Sequence, residues 1–169
     1  MADYKKNARS VINSYLWNEL KSNNILLETD YRPDGFTNTL VPIIPSQQVP
    51  EFNNLISDKP YLVYDYEVDG YSDDWWICYE HMLYRIIATE YSKIVEITEF
   101  MIDLFRRIDI TGSEIQKYNP DKDIVKFYSV SIDAASSQTP FETEGGRTYA
   151  TVEISYKYSR VVGDEGRFV

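Results

Sequence analysis

The sequence has 169 residues, and its 27 acidic and 17 basic side chains give a net charge of −10. This length fits one domain with its own core, and the 43% hydrophobic content is typical of a folded chain rather than a disordered one. The apolar runs are too short to span a bilayer, and no secretory leader is predicted. Scattered basic residues disfavour sequence-specific nucleic-acid binding. The single cysteine excludes an intrachain disulfide and predicts a reducing compartment.

The first third of the chain reads as a helix followed by a long loop. Apolar side chains at helical spacing predict an amphipathic helix over residues 5–22. Several prolines then predict a Pro-rich loop over residues 28–60, with one short strand at Leu40–Ile44. A loop of this length in a compact domain often contacts a partner.

A strongly acidic hairpin comes next. Residues 61–92 hold seven acidic side chains against one basic side chain, Arg85. Alternating residues predict a strand at Tyr61–Val68 and a turn opening at Asp69-Gly70. We interpret Trp75–Ala88 as a second strand, although the same stretch could begin a helix. One face of that strand carries Glu80, Met82, Tyr84, Ile86 and Ala88.

The central helix is predicted to begin at an N-cap, Ser92, and to run through Ile108. Its apolar stripe is unusually wide, so we expect it to be covered by the sheet and by something else, such as a neighbouring subunit. Arg106 and Arg107 favour its C-terminal end electrostatically.

The last third reads as a polar connection, 109–121, and two strands. The first strand is Asp123–Ala134, followed by a loop over 135–147; the second is Thr148–Val161, followed by a polar tail at 163–169. Alternation predicts that one face of the first strand carries Ile124, Lys126, Tyr128, Val130, Ile132 and Ala134. The inward face of the second strand carries Ala150, Val152, Ile154, Tyr156 and Tyr158.

This element pattern predicts an α+β fold in one domain, residues 1–169. We expect an antiparallel sheet of about four strands with helices packed on one face, in the order α-β-β-α-β-β.

One acidic motif resembles the first half of an EF-hand calcium loop. It consists of Asp65, Glu67, Asp69, Gly70 and Asp73 at matching positions, but Trp76 stands where the bidentate glutamate would be. Because the flanks alternate like strands, we favour an acidic hairpin that faces water over a calcium site.

Cys78 and His81 form a Cys-x-x-His pair, but no second ligand pair exists for a structural zinc. On the strand interpretation they face opposite sides, and a nucleophilic pair would require a helix. No glycine-rich phosphate loop or nucleophile elbow occurs. The sequence therefore predicts no catalytic residue, cofactor or metal, and an enzyme using Cys78, His81 or the acids is the least favoured hypothesis.

The adjacent Trp75 and Trp76 point to opposite faces if they lie in a strand. We interpret one as core and the other as an interface residue. The alternative is stacking of the exposed ring on a sugar or a base.

The chain resembles the tail terminator (tail completion) proteins of long-tailed bacteriophages, especially those with contractile tails. The resemblance covers most of the chain and rests on element order together with short phrases. These phrases are Val41-Pro42-Ile43-Ile44-Pro45, Pro50-Glu51-Phe52, Pro60-Tyr61-Leu62-Val63-Tyr64, Trp75-Trp76 and Asp103-Leu104-Phe105-Arg106-Arg107.

The resemblance implies a homo-oligomeric ring, usually hexameric, that caps the tail tube, stops its polymerisation and joins the tail to the neck or head. Its partners would be the tube protein, the sheath protein and a neck or connector protein, in a virion assembled in the host cytoplasm. We expect the contacts to use Trp75, Trp76, Phe52, Phe141, Arg106 and Arg107.

Genomic DNA would pass through such a ring without specific binding, because an acidic lumen repels phosphates. We expect some of the acids of the hairpin to line or rim that channel: Asp65, Glu67, Asp69, Asp73 and Asp74. Two other functions stay open, a neck connector that joins head to tail and a small module that binds a ligand through Trp75 or Trp76.

Overall fold

The computed structural model of the chain describes residues 8–48, 58–71, 77–106, 114–117, 125–142 and 148–160. The two long helices are α1 (Ala8–Ser22) and α2 (Tyr91–Phe105). The strands are β1 (Ile43–Pro45), β2 (Tyr61–Tyr71), β3 (Ile77–Ala88), β4 (Val125–Glu142) and β5 (Thr148–Arg160). Shorter pieces are two 3₁₀ turns, Glu28–Tyr31 and Ser46–Gln48, and a helical turn at 114–117. No described helix is long and apolar enough to cross a membrane.

The strands form one open sheet in the order β1-β2-β3-β5-β4. The predicted α+β class is confirmed, but the described part of the chain forms a sheet of five strands instead of about four. The extra strand is β1, which pairs parallel with β2 and places Ile43 opposite Leu62. All the other neighbouring strands are antiparallel. The sequence did indicate a short strand in the Pro-rich loop, at Leu40–Ile44, which overlaps β1 at Ile43 and Ile44, but not that it joins this sheet.

Most of the core lies on one face of the sheet, under both helices, while Tyr61 and Val63 of β2 are buried on the opposite face. Even-numbered residues of β3 are buried from Cys78 to Ala88, so the strand face that carries Met82 and Tyr84 is the inward one. Their partners on β5 are buried from Ala150 to Tyr158, which confirms the inward face predicted for that strand. Helix α2 packs on β3, β4 and β5. Helix α1 joins the same face through Asn13, whose Oδ1 accepts a hydrogen bond from Tyr84 at 2.6 Å. We call the opposite side, formed by the odd-numbered residues of β3, the open face.

Helix α2 begins earlier than predicted. Its N-cap is Glu90, whose side chain makes no capping bond, and Ser92 lies inside the first turn. The Ser92 prediction is therefore wrong: the carbonyl of Glu90 already accepts from the amides of Lys93 and Ile94. Regular helix ends at Phe105, and residues 107–110 lie outside the described part.

The apolar stripe of α2 is only partly covered by the sheet. Its fully buried side chains are Ile94, Ile97, Thr98, Met101 and Phe105. Its flanks are half-buried, and they consist of Val95, Phe100, Ile102 and Leu104. That a neighbouring subunit covers these flanks stays a prediction.

The turn predicted at Asp69-Gly70 is wrong, because strand β2 continues through Tyr71. The pairing with β3 shifts between Val68 and Gly70, which is the mark of a β-bulge. A bulge adds a residue to one strand without ending the strand pairing. The Asp-Gly sequence that is typical of a turn therefore lies at a bulge inside β2. The connection itself falls at 72–76, outside the described residues.

Strand β4 departs most from its prediction. Its register against β5 shifts between Phe127 and Ser129 and again between Ile132 and Ala134. Because each shift reverses the alternation, Phe127 and Val130 are both buried while Lys126 and Tyr128 are exposed. The strand also continues to Glu142, so the loop predicted at 135–147 is wrong for its first eight residues.

The polar connection predicted at 109–121 contains a structured element. Residues 114–117 form a helical turn that places Ile115 in the core, fully buried. The amide of Phe127 donates to the side chain of Gln116 at 3.0 Å, which ties this turn to the start of β4. The predicted tail at 163–169 lies outside the described residues.

The first part of the Pro-rich loop is ordered around one buried tyrosine. Tyr31 packs edge-on against Trp17 with ring centroids 5.7 Å apart, and its hydroxyl donates to the carbonyl of Pro60 at 2.5 Å. The amide of Leu40 donates to the carbonyl of Tyr31 at 2.8 Å, which closes the segment into a compact loop. Tyr31 therefore joins α1, this loop and the start of β2.

We expect Tyr31→Ala to lower the free energy of unfolding by about 3–5 kcal/mol, the usual cost of truncating a buried aromatic side chain. Limited proteolysis should then cut residues 27–41 faster, since the loop has lost its anchor. Phe36→Ala is the matched control, because Phe36 lies in the same loop and is half exposed. It should change the stability by less than about 0.5 kcal/mol, and equal effects of the two substitutions would contradict the anchoring role.

Candidate interaction surfaces

The structure places only some of the predicted site residues. Arg106 is exposed at the C-cap of α2, and its amide donates to the carbonyl of Ile102 at 3.0 Å. Asp69 and Phe141 belong to β2 and β4 by their backbone, and their side chains are outside the description. The residues that lie entirely outside the described part are Phe52, Asp73, Asp74, Trp75, Trp76 and Arg107.

Asp65 lies on the open face, where its carboxylate forms an ion pair with Arg85. Its Oδ2 accepts from Arg85 Nη2 at 2.6 Å, and its Oδ1 accepts from Ser46 Oγ at 2.8 Å. The bond from Arg85 links β2 to β3, and the bond from Ser46 links the segment after β1 to the sheet. A carboxylate held in this way contributes less negative potential to a lumen than a free one. The assignment of Asp65 to a channel wall stays a prediction.

Glu67 lies two residues farther along β2 on the same face, and 76% of its side chain is exposed. His81 Nε2 is 3.4 Å from Glu67 and 4.0 Å from Glu153, so the imidazole lies between carboxylates of β2 and β5. Among the predicted channel acids with described side chains, Glu67 is the one that faces solvent most fully. It remains a candidate for a surface that DNA passes.

The structure also bears on the two motif hypotheses. Strand, not helix, lies on both sides of the EF-hand-like motif, in β2 and in β3. Cys78 is buried on the core face, whereas His81 lies on the open face. The prediction that these two residues point to opposite sides is confirmed, so they do not form a nucleophilic pair.

Two lysines and two tyrosines cluster at the hairpin end of the open face. Tyr79 on β3 is paired in register with Lys157 on β5, and the lysine Nζ lies 5.6 Å from the Tyr79 ring and 5.7 Å from the Tyr128 ring. Lys126 Nζ lies 5.9 Å from the same Tyr128 ring. Tyr79 is 38% exposed and Tyr128 is 48% exposed. We call these four residues the Lys–Tyr patch.

The lysines of the Lys–Tyr patch have aromatic neighbours instead of carboxylates. Within the described part of the chain neither forms an ion pair, whereas Lys21, Lys59 and Lys93 each do. An ammonium over an exposed ring is held weakly, by about 0.5–1 kcal/mol, and keeps most of its charge available to a partner. The patch is therefore a local cationic and aromatic surface on an acidic protein.

A buried carboxylate occupies the other side of the same strands. Glu80 is 5% exposed and accepts hydrogen bonds from Tyr156 at 2.7 Å and Tyr158 at 2.6 Å. Arg9 of α1 lies 3.9 Å from the same carboxylate, and its guanidinium stacks 3.4 Å from the centre of the Tyr66 ring. Burial and then the Glu80 charge raise the pKa of Tyr156, so its hydroxyl keeps its proton and remains a donor. We call this set the Glu80 cluster.

The Glu80 cluster was missed as a unit at the sequence level. The alternation of β3 placed Glu80 on one face with the apolar Met82 and Ile86, and an acid on a buried face requires partners. The pattern did not identify those partners, because they depend on the pairing of β3 with β5 and on the position of α1.

A groove opens on the helix side, between the C-terminal parts of α1 and α2 and the helical turn at 114–117. Its volume is about 360 Å³. Phe100 and Leu104 of α2 supply apolar walls, and its charged side chains are Glu19, Asp103, Glu114 and Lys117. The fully buried Tyr15 donates to Glu114 at 2.8 Å and orients that carboxylate. We call this feature the α1–α2 groove.

The loop after α1 exposes three large apolar side chains, Leu27, Phe36 and Val41. Phe36 follows Gly35, whose positive φ of 84° is a conformation that suits glycine. Binding residues are found disproportionately on loops, so this loop is a third candidate surface.

No protein-family model matches the chain, and no curated protein is significantly similar to it.

Proposed function

We propose that the chain is a structural virion protein, a tail terminator that forms a ring on the tip of a bacteriophage tail tube. In this role it stops tube polymerisation, contacts the sheath and joins the tail to the neck. The observation that carries the proposal is the resemblance of the element order and of the short phrases that accompany it. The function assigns no catalytic residue, cofactor or metal to the chain.

The distribution of surface features supports this function. A ring subunit needs two different lateral surfaces for its neighbours and further surfaces for the rings above and below it. The Lys–Tyr patch and the α1–α2 groove lie on opposite sides of the sheet, and the loop at 27–41 presents apolar side chains elsewhere. Exposed tyrosines fit contact surfaces, because the ring buries well and the hydroxyl tolerates water.

The acidity of the chain also supports this function. Its net charge of −10 and the exposed Glu67 fit a lumen that DNA traverses without sticking. A neck connector would share these properties, and the contact with a tube distinguishes the two functions.

The first test is the solution mass of the purified chain by light scattering, with negative-stain images of the same sample. We expect a closed ring of about six copies of the 19.8 kDa chain, since a closed symmetric assembly is the normal form of a homo-oligomer. A second arm adds tail tubes, and the ring should then appear at tube tips and stop their growth. A chain that stays monomeric and leaves tube growth unchanged contradicts the proposal.

A further inference from the structure

We propose, resting on the ring function above, that neighbouring copies contact each other through the Lys–Tyr patch of one and the α1–α2 groove of the next. The occupant of the groove is thus a second copy of this chain. Two surfaces of complementary charge carry this inference, and the charged side chains of each form no ion pair with a described residue.

The Lys–Tyr patch supplies the cationic half. Lys126 is exposed on β4, an edge strand of the sheet. Lys126 and Lys157 both lie near the Tyr128 ring, at 5.9 Å and 5.7 Å. Neither lysine pairs with an acid in the described part of the chain. A Lys side chain carries an apolar stem beneath its ammonium, so it suits a site with apolar walls and an acidic rim.

The α1–α2 groove has those properties. Its walls include Phe100 and Leu104, and its charged side chains are three carboxylates against one ammonium. None of the four forms an ion pair with a described residue. A cavity of about 360 Å³ has room for a lysine side chain and part of its neighbour. The charges of the groove and of the patch are therefore complementary, which favours association between copies.

The placement of the two surfaces prevents a single molecule from satisfying both. The patch lies on the open face, whereas the groove lies among the helices that cover the core face. A contact between different surfaces of identical chains is heterologous, and it propagates from copy to copy until the assembly closes. This is the type of contact that a cyclic ring requires.

The test is a charge-swap experiment on the full chain. The patch variant carries Lys126→Glu and Lys157→Glu, and the groove variant carries Glu19→Lys and Asp103→Lys. Glu114 is left intact because Tyr15 holds it. We expect each variant alone to need at least about tenfold more protein to assemble than the wild-type chain, as measured by light scattering at low salt.

Mixing the two variants should restore assembly, because every contact in an alternating assembly then joins opposite charges. The chain that carries all four substitutions should also assemble by itself, and this result shows that the substitutions have not simply unfolded the protein. Lys59→Glu with Lys93→Glu, and Asp34→Lys with Asp58→Lys, change the net charge by the same amounts at positions outside the two surfaces. Both control variants should assemble like the wild-type chain.

Rings that form normally from the patch and groove variants would overturn this contact and leave the ring function standing. Loss of assembly without rescue on mixing would overturn it too, since the two surfaces would then not meet each other. A wild-type chain that stays monomeric at low salt and high concentration also overturns the contact, and the addition of tail tubes then decides the ring function separately.

Discussion

Raising the pH above about 10 is expected to unfold this protein over a narrow range. Burial raises the pKa of Tyr31, Tyr84 and Tyr156, and the charges of Asp30 and Glu80 add to this effect at Tyr31 and Tyr156. Each phenol is therefore protonated in the folded state at a pH where the unfolded chain has released that proton, since an unperturbed tyrosine has a pKa of about 10. The measurement is far-UV circular dichroism against pH, with tyrosinate absorbance recorded on the same samples.

The sign and size of this effect follow from proton linkage. Above about pH 10 the unfolded state binds fewer protons than the folded state, so the free energy of unfolding falls as the pH rises. Each of the three tyrosines contributes about 1.4 kcal/mol per pH unit, or about 4 kcal/mol per unit together. A domain that is stable by about 5 kcal/mol would then unfold near pH 11. The stabilising effect of the neutral phenols is fully present below about pH 10.

Phenylalanine variants provide the control for the alkaline transition. Each of Tyr31→Phe, Tyr84→Phe and Tyr156→Phe removes one of these groups and should make the alkaline slope shallower by about 1.4 kcal/mol per pH unit. The variants will be less stable at neutral pH, so the slope is the informative quantity and not the midpoint. An unfolding free energy that stays constant from about pH 9 to about pH 11 in the wild-type chain would contradict the linkage.

Periodicity predicted the regular elements well, for a physical reason. In β3 and β5 every second residue faces the core, so buried apolar residues such as Met82 and Val152 recur at every second position of the sequence. Helix α1 was visible in the same way through its 3.6-residue period. The failures occur where the period is interrupted without ending the element. The bulges in β2 and β4 insert residues that reverse the alternation, and no local composition distinguishes them from turns.

The candidate surfaces were less predictable than the fold. The Lys–Tyr patch joins Tyr79, Tyr128 and Lys157 from three strands that are distant in sequence, and a shift in the register of β4 controls which of its residues face outward. The predicted acidic hairpin was correct as a hairpin, but the sequence did not show that Arg85 neutralises Asp65. Contacts across a sheet depend on strand order, and the order β3-β5-β4 is not visible in local patterns.

The two faces of β3 have different surroundings. The odd-numbered side chains lie on the open face, while the even-numbered ones lie in the core and include Glu80. A substitution on one face therefore separates surface effects from effects on folding. Glu67 and Glu80 form a suitable pair for this comparison, because both are strand glutamates and only one of them is buried.

Removing the buried carboxylate is expected to destabilise the protein strongly. Glu80→Ala leaves the hydroxyls of Tyr156 and Tyr158 without their acceptor and the Arg9 guanidinium without its counter-charge. Breaking a buried charged network in this way costs about 3–5 kcal/mol, because the remaining partners stay desolvated. The free energy of unfolding from urea denaturation should fall by that amount, whereas Glu67→Ala on the open face should change it by less than about 0.5 kcal/mol.

Replacement of Glu80 together with Tyr156 and Tyr158 by apolar side chains distinguishes two causes of the lost stability, the unpaired hydroxyl donors and the missing carboxylate. Combining Glu80→Met with Tyr156→Phe and Tyr158→Phe removes the buried acceptor together with both donors, so no orphaned hydroxyl remains. An apolar replacement of this kind is often close to neutral, and we expect it to recover most of the stability that Glu80→Ala loses. Arg9 remains stacked on Tyr66 and is 20% exposed, so water can solvate its charge. A triple variant as unstable as Glu80→Ala would show instead that the carboxylate itself, and not the unpaired donors, accounts for the loss.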